Sequence, residues 1–313
     1  MLSADATLKQ IKKEIQANSA VLDQIYKSRS AIREQSPLRV PETVLPSGHK
    51  AFKLLAQGDS WFDYPPGTDL TDCLRDNHGH TIINIAVAGS TLNDEAYGPV
   101  PQDLFGLTSQ SDSPSRIAEL IHHIEKDRPQ ALLLSAGGND VAGDEFFSFI
   151  NNALSGLPPV NEGVLNNVVN QTFQMAYKFI INHALDAARD AKLNMPIFLH
   201  GYDYPFPDGR GVVHFLGYKV GPWFDETFNH KNYPNKSQED LRKRRGILTI
   251  FIDAFNKMQL DLVQQFPQKV FHVDLRNTLP RHDEWANELH PKNEGFAKLA
   301  AKIDVALQTQ LKA

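Results

Sequence analysis

The 313-residue sequence contains one cysteine, Cys73, so no disulfide can form within the chain and nothing marks an oxidising compartment. It has no apolar run near the ~18 residues that a membrane span requires, which argues against stable membrane insertion. Basic excess is also missing. The 32 Lys and Arg face 37 Asp and Glu for a formal charge of −5, which argues against a nucleic-acid partner. With 19 Gly and 19 Pro, collagen-like and fully disordered chains are excluded. Several chemical signatures are absent as well: a G-x-S-x-G elbow, an H-E-x-x-H zinc motif and a G-x-x-x-x-G-K-[ST] phosphate loop. What remains is an ordinary globular composition, 41% hydrophobic, that does not by itself indicate an enzyme.

The N-terminal segment lacks the apolar core of a signal peptide, so a cytoplasmic location is expected. Leu8, Ile11, Ile15, Leu22, Ile25 and Tyr26 recur at helical spacing, which predicts an amphipathic arm packed on the main body. Its lysines, Lys12 and Lys13 among them, read as a solvated face because acidic residues are interspersed. Residues 1–45 are therefore taken as a helical arm and linker, and residues 46–313 as one domain.

Five apolar runs of strand length follow, at 52–60, 81–90, 131–140, 196–204 and 269–274. Continuous rather than alternating apolarity suits strands covered on both faces. Between them lie helical patterns: one starting at Ser113-Pro114, one from Leu165 to Ala191, one from Ile247 to Phe266, and a last from about Asn293 to Leu311. Alternating strands and helices predict an α/β protein with a parallel sheet sandwiched between helices. The runs end in Gly58-Asp59-Ser60, Gly89-Ser90, Gly137-Gly138-Asn139-Asp140 and Gly201-Tyr202-Asp203. Ligands bind at the carboxyl ends of such strands, so small polar residues converge on the edge where a site belongs.

Acyl transfer needs a nucleophile, a base within reach of it, and donors aimed at the developing oxyanion. Ser60 offers a hydroxyl at the end of the first run, although an isolated Gly-Asp-Ser reads more readily as a helix cap. Gly89 has a backbone N–H open to close approach, Asn139 an amide donor, and His290 an imidazole just before the last helix. Each residue alone has a bland reading as a turn, cap or solvated group. The remaining histidines follow that reading, with His78 and His80 taken as solvated loop residues and no metal ligand set recognised.

Taken together, four blocks resemble, in order, those of the SGNH hydrolases, also called the GDSL esterase/lipase family. They are GDSWFDYP, NIAVAGSTLND, SAGGNDV and NELHPKNEGF, and the resemblance spans residues 52 to about 303. It implies a flavodoxin-like three-layer α/β/α sandwich with a five-stranded parallel sheet, beside the N-terminal arm. It also implies cofactor-free hydrolysis of a small-molecule ester through an acyl-enzyme. Under the resemblance Ser60 is the nucleophile and His290 the base, while the Ser60 N–H, the Gly89 N–H and the Asn139 side chain form the oxyanion hole. One position departs from the family pattern. Asp usually stands three residues before the histidine, and here that residue is Asn287, followed by Glu288. An amide oxygen can still orient the imidazole, so Asn287 is taken as the orienting residue and Glu288 as a surface carboxylate unless the turn rotates it inward.

Short-chain or acetyl esters, including O-acetylated carbohydrate, are the first expectation. Lipid esters or thioesters come next, and a binding protein with weakened catalysis is the alternative from another class. Residues 202–236 form an aromatic-rich insertion that is expected to wall the catalytic edge, and 92–112 a second. The candidate pocket residues are Asp59, Tyr204, Trp223 and Phe224. The basic run Arg242–Arg245 reads as a solvated helix turn. Oligomeric state is not legible.

Overall fold

The computed structural model describes residues 4–33, 45, 47–64, 67–101, 113–213 and 219–311, with side chains from residue 8 onward. In chain order, α1 (Ala4–Arg33) leads to β1 (Lys53–Gly58), α2 (Leu70–Asp76), β2 (Thr81–Asn84), α3 (Leu92–Tyr97), α4 (Arg116–Asp127) and β3 (Ala131–Ser135). Then come α5 (Phe146–Phe149), α6 (Glu162–Asn167), α7 (Gln174–Asp190), β4 (Ile197–His200), β5 (Val212–Val213), β6 (Lys219–Val220) and α8 (Asp225–His230). The chain closes with α9 (Gln238–Gln265), β7 (Val270–Val273) and α10 (Asn293–Gln310). One π-helical turn, Val168–Phe173, joins α6 to α7, so the long apolar pattern of this region forms one nearly continuous helix.

The five expected runs pair as a parallel sheet in the order β2-β1-β3-β4-β7, and β5 and β6 form a separate antiparallel hairpin. The side chains of β3 and β4 are buried throughout, as expected of strands covered on both faces. On one face α2 packs against α10; on the other α4 and α9 pack on α7, and α1 lies outside α4. From β1 the chain first goes outward to β2 and then returns to place β3 on the opposite side. The sheet therefore reverses direction between β1 and β3, and the crevice at their carboxyl ends is the binding position of such sheets. The strands approach so closely there that a Cβ on Gly58 would stand 2.2 Å from the Ser135 carbonyl oxygen, so only glycine fits.

Two expectations shift at this level. Helix α4 starts after Ser115, which caps it, rather than at Ser113-Pro114. The Pro114 carbonyl instead accepts the Val100 N–H, so the proline closes a bridge between segments. The run at 81–90 leaves the strand after Asn84, although Ile85 and Val87 still donate to Ala56 and Gly58 of β1.

Apolar spacing accounts for the inner stripe of α1, where Ile11, Ile15 and Leu22 are buried. It does not reveal how the helix end is anchored. Arg29 is buried, pairs with Glu119 at 3.2 Å, and donates to the Ile85 and Ala86 carbonyls at 2.8 and 3.0 Å. Arg33 reaches Asn84, Ala86 and Asp63. The carbonyl of Asn84 at the end of the outermost strand, and those of Ile85 and Ala86 just beyond it, are thus satisfied by guanidinium groups in place of another strand. Lys12 bridges Glu125 and Asp190 of the body, so only Lys13 of the named lysines belongs to a solvated face. Most of the linker lies outside the described residues. No described helix is long and apolar enough to cross a membrane.

Candidate active site

Ser60 sits in the turn that leaves β1. Asp59 caps that turn: its carbonyl accepts from Phe62 and Asp63 at 3.0 and 3.1 Å, and its carboxylate accepts from the Trp61 N–H at 3.0 Å. With capping done by its neighbour, the Ser60 hydroxyl is free for another partner, and the helix-cap reading of Ser60 does not apply. The partner is His290, whose Nε2 lies 2.7 Å from Ser60 Oγ.

The histidine is presented by a loop closed on itself. Ala286 N–H donates to the His290 carbonyl at 2.9 Å, and Trp285 bridges to Pro291. Asn287 Oδ1 accepts from the Leu289 and His290 backbone N–H groups, both at 2.9 Å, and from His290 Nδ1 at 3.0 Å. Three N–H groups facing one atom identify it as the oxygen, so Nδ1 carries the ring proton and Nε2 is the acceptor facing Ser60. Burial alone pushes the His290 pKa down to about 3, because no charged partner supports the imidazolium. The resting imidazole is neutral.

The blocks are locked together by residues that motif reading overlooked. Trp61 Nε1 donates to the Leu289 carbonyl at 3.1 Å, tying the serine turn to the histidine loop. Tyr64 stacks on the imidazole with ring centroids 4.1 Å apart, and its hydroxyl accepts from Asn287 Nδ2 at 3.0 Å. Tyr202 donates to Asp59 Oδ2 while its hydroxyl oxygen accepts the Gly138 N–H at 3.1 Å, linking the exits of β1, β3 and β4. Trp61 and Tyr64 both lie inside the quoted serine block, so their place in the motif was the available signal.

Gly89 and Asn139 come to the same edge. Gly89 is exposed in the left-handed region at φ +81°, with no atom within 4 Å of where a Cβ would stand. Asn139 Nδ2 donates one hydrogen to the Ser90 carbonyl at 2.9 Å, which fixes the amide and leaves its second N–H to donate elsewhere. Asp140 accepts the Leu92 N–H at 2.7 Å, pinning the third block to the start of α3. Its pKa is raised to about 6, by burial against these backbone donors.

The candidate pocket residues divide. Trp223 meets His290 edge-on with centroids 5.7 Å apart. Phe224 is buried against Phe146, inside an aromatic cluster with Phe149, Phe228 and Phe251, so it belongs to a satellite core. Tyr204 turns away to Asp253 at 2.6 Å. Asp59 lies beneath the serine turn rather than on an open wall, and burial raises its pKa to about 7. In the second insertion Tyr97 packs on Phe179, while Phe105 lies outside the described residues, as do Phe215 and Tyr218 of the first.

Three further expectations change. Glu288 is fully buried and neither a surface carboxylate nor a partner of His290. It accepts the backbone N–H groups of Gly209, Trp223, Phe224 and Asp225 at 2.6–3.2 Å, with its pKa raised to about 7 by burial. Arg244 is buried too, because helical spacing aligns it with Leu241 and Leu248. It donates to the Tyr233 and Pro207 carbonyls, and Arg245 lies 3.8 Å over the Phe206 ring, so two members of the basic run hold the insertion. His80 is buried rather than solvated.

No family model and no curated protein matches the chain. Solved structures do match. A carbohydrate esterase family 3 protein from Talaromyces cellulolyticus is 12% identical, with a TM-score of 0.43 over 83% of this chain and 98% of that one. A lipase from a goat rumen metagenome is 13% identical, with a TM-score of 0.44 over 82% of this chain and 97% of that one. A variant of an acetyl-xylooligosaccharide esterase from Geobacillus stearmophilus is 13% identical, with a TM-score of 0.41 over 84% of this chain and 94% of that one. At these identities the likeness is one of fold.

Proposed function

We propose that this chain is a serine ester hydrolase of the SGNH type, acting through an acyl-enzyme. The observation that carries the reading is the relay from Ser60 Oγ to His290 Nε2 at 2.7 Å and from His290 Nδ1 to Asn287 Oδ1 at 3.0 Å. His290 Nε2 takes the Ser60 proton as Oγ adds to the ester carbonyl carbon. The resulting oxyanion is received by the Ser60 and Gly89 N–H groups and by the free Asn139 N–H. His290 then gives its proton to the departing alcohol. A water, deprotonated by the same nitrogen, releases the carboxylic acid and restores Ser60.

Esters of short acyl groups, acetyl among them, are the proposed substrates, and the acetyl-xylooligosaccharide named for one of the similar structures belongs to this class. The support within the chain is that most of the insertion's aromatic side chains are spent on a core of their own. Trp223 is the one candidate wall residue whose ring meets His290, which favours a small acyl group over a long one.

One observation favours a second reading, a binding protein with weak catalysis: among the described residues no carboxylate touches His290 to support its charge. A serine-directed fluorophosphonate separates the two. Covalent labelling of the wild type and none of Ser60→Ala is the expected result; an unlabelled, folded wild type sinks the hydrolase reading. An ester panel varying acyl length, with Ser60→Ala as blank, then tests the substrate class.

A further inference from the structure

At the opposite, amino-terminal edge of the sheet, three histidines surround one carboxylate. Asp304, on α10, lies 3.0 Å from His49 Nε2 and 3.0 Å from His80 Nε2 through Oδ1, and 3.3 Å from His78 Nδ1 through Oδ2. His49 leads into β1, while His78 and His80 flank the turn between α2 and β2, so three distant segments meet here. We propose that His49, His78 and Asp304 form a binding site for a divalent transition-metal ion, with zinc the best fit.

The geometry agrees with zinc coordination. One ligand atom from each of the three residues lies within 4.8 Å of the others. A tetrahedral zinc with bonds of about 2.0–2.1 Å separates its ligands by roughly 3.4 Å, and the two imidazoles approach Asp304 at 3.0 Å through Oδ1 and 3.3 Å through Oδ2, within a small carboxylate rotation of that spacing. The donor set, two imidazoles and a carboxylate with a further position open to water, is one zinc uses.

His80 plays a different part. Its Nδ1 accepts the Phe52 N–H at 3.1 Å, so the neutral ring carries its proton on Nε2 and donates it to Asp304. Gln308 Nε2 adds a donor to the same oxygen at 3.1 Å, and its carbonyl oxygen is held by the Lys50 N–H. Such outer donors orient a ligating carboxylate.

Charge gives the second argument. Asp304 is 6% exposed, and among the described residues no lysine or arginine pairs with it. A carboxylate this buried calls for a compensating cation, and an ion held between it and the two imidazoles supplies one. His78 is the more open of the two proposed imidazole ligands, with 15% of its side chain exposed against 7% for His49, and gives an ion a way in.

The test is calorimetric titration of the tag-free, chelator-treated chain with zinc chloride, together with thermal melting. One zinc per chain is expected, and a midpoint about 5 °C higher at free zinc a hundredfold above Kd. His49→Ala, His78→Ala and Asp304→Asn should each weaken binding more than about a hundredfold, and His80→Ala by about 10–100-fold, the usual loss for an outer-shell partner. His230→Ala, an exposed histidine elsewhere, should bind like the wild type. Circular dichroism of each variant establishes that the fold is retained. Absence of saturable binding to the wild type overturns the proposal, as does equal binding by the folded ligand variants. The first result would identify the cluster as an imidazolium–carboxylate group instead.

Discussion

Asn287→Asp puts a formal charge where the chain has an amide. The substitution is nearly isosteric. The three N–H groups that meet Asn287 Oδ1 remain available to a carboxylate oxygen, and the Tyr64 hydroxyl can rotate to donate to the other. Those four donors offset the cost of burying a charge at a position 2% exposed. A carboxylate about 4 Å from the centre of the imidazolium attracts it by about 4 kcal/mol at an effective dielectric of ~20. That corresponds to about 3 pKa units, which lifts His290 from about 3 into the ordinary histidine range near 6. Nitrogen-detected NMR titration of the His290 ring reads the shift directly. In esterase turnover the same attraction stabilises the imidazolium formed as Ser60 is deprotonated, so kcat should rise by at least about tenfold, using little more than 1.36 kcal/mol of it. Asn287→Ala instead loses the tautomer control and should cost about 10²–10⁴-fold, the range that general-base assistance supplies. A His290 midpoint that does not move in Asn287→Asp, or turnover unchanged in Asn287→Ala, would refute the assignment of Asn287 as the residue that orients the ring.

Three other perturbations address separate parts of the molecule. Asn139→Ala removes one oxyanion donor and should lower kcat by about 10²–10³-fold with KM little changed, measured on a soluble short-chain ester. Glu288 has its folded-state pKa raised from 4.5 to about 7, so the folded chain binds the extra proton. Its contribution to stability is complete below about pH 4.5 and is lost, by about 3 kcal/mol, as pH rises through 7. Urea unfolding of Glu288→Gln at pH 5 and pH 8 should therefore show a smaller fall than the wild type; a residual slope from Asp59, also raised to about 7, persists in both. Arg29→Ala removes one of two guanidinium partners from Glu119, Ile85 O and Ala86 O, which Arg116 and Arg33 still reach, and should cost about 1–3 kcal/mol in the same assay, whereas a freely tethered arm would lose almost nothing.

How much of this was legible in the sequence depends on the range of the interaction. The strands were readable because burial on both faces writes itself as uninterrupted apolar residues, and Leu132–Leu134 is such a run. The four blocks were readable because each is local and their order is set by the sheet. Contacts between blocks left no periodic trace. Nothing in the spacing of Trp61 and Leu289, 228 positions apart, announces their hydrogen bond, and Tyr64 over His290 is equally silent. Burial of polar side chains was the most consistent omission. Arg244 and His80 were assigned to water because their chemistry prefers it, Glu288 was left at the surface unless its turn rotated inward, and Arg29 drew no reading, yet each is satisfied inside by partners that only the fold assembles.

The pair Asn287-Glu288 shows why the second residue resisted a reading from sequence. In so tight a loop, adjacent side chains point in different directions: one toward the imidazole, the other toward the insertion. A carboxylate next to the candidate base therefore anchors four backbone N–H groups of residues 209–225 and leaves the ring to an amide. The two roles remain physically joined. Trp223 donates its backbone N–H to Glu288 at 2.6 Å and presents its ring edge to His290 at 5.7 Å. Protonation of Glu288 near pH 7 weakens those four bonds together, because a neutral carboxyl accepts less strongly. The wall beside His290 should thus loosen below neutrality even though the imidazole itself keeps its neutral form down to about pH 3. On this reasoning an acid loss of activity in the wild type reports the insertion and appears first as a rise in KM, whereas titration of the base would lower kcat.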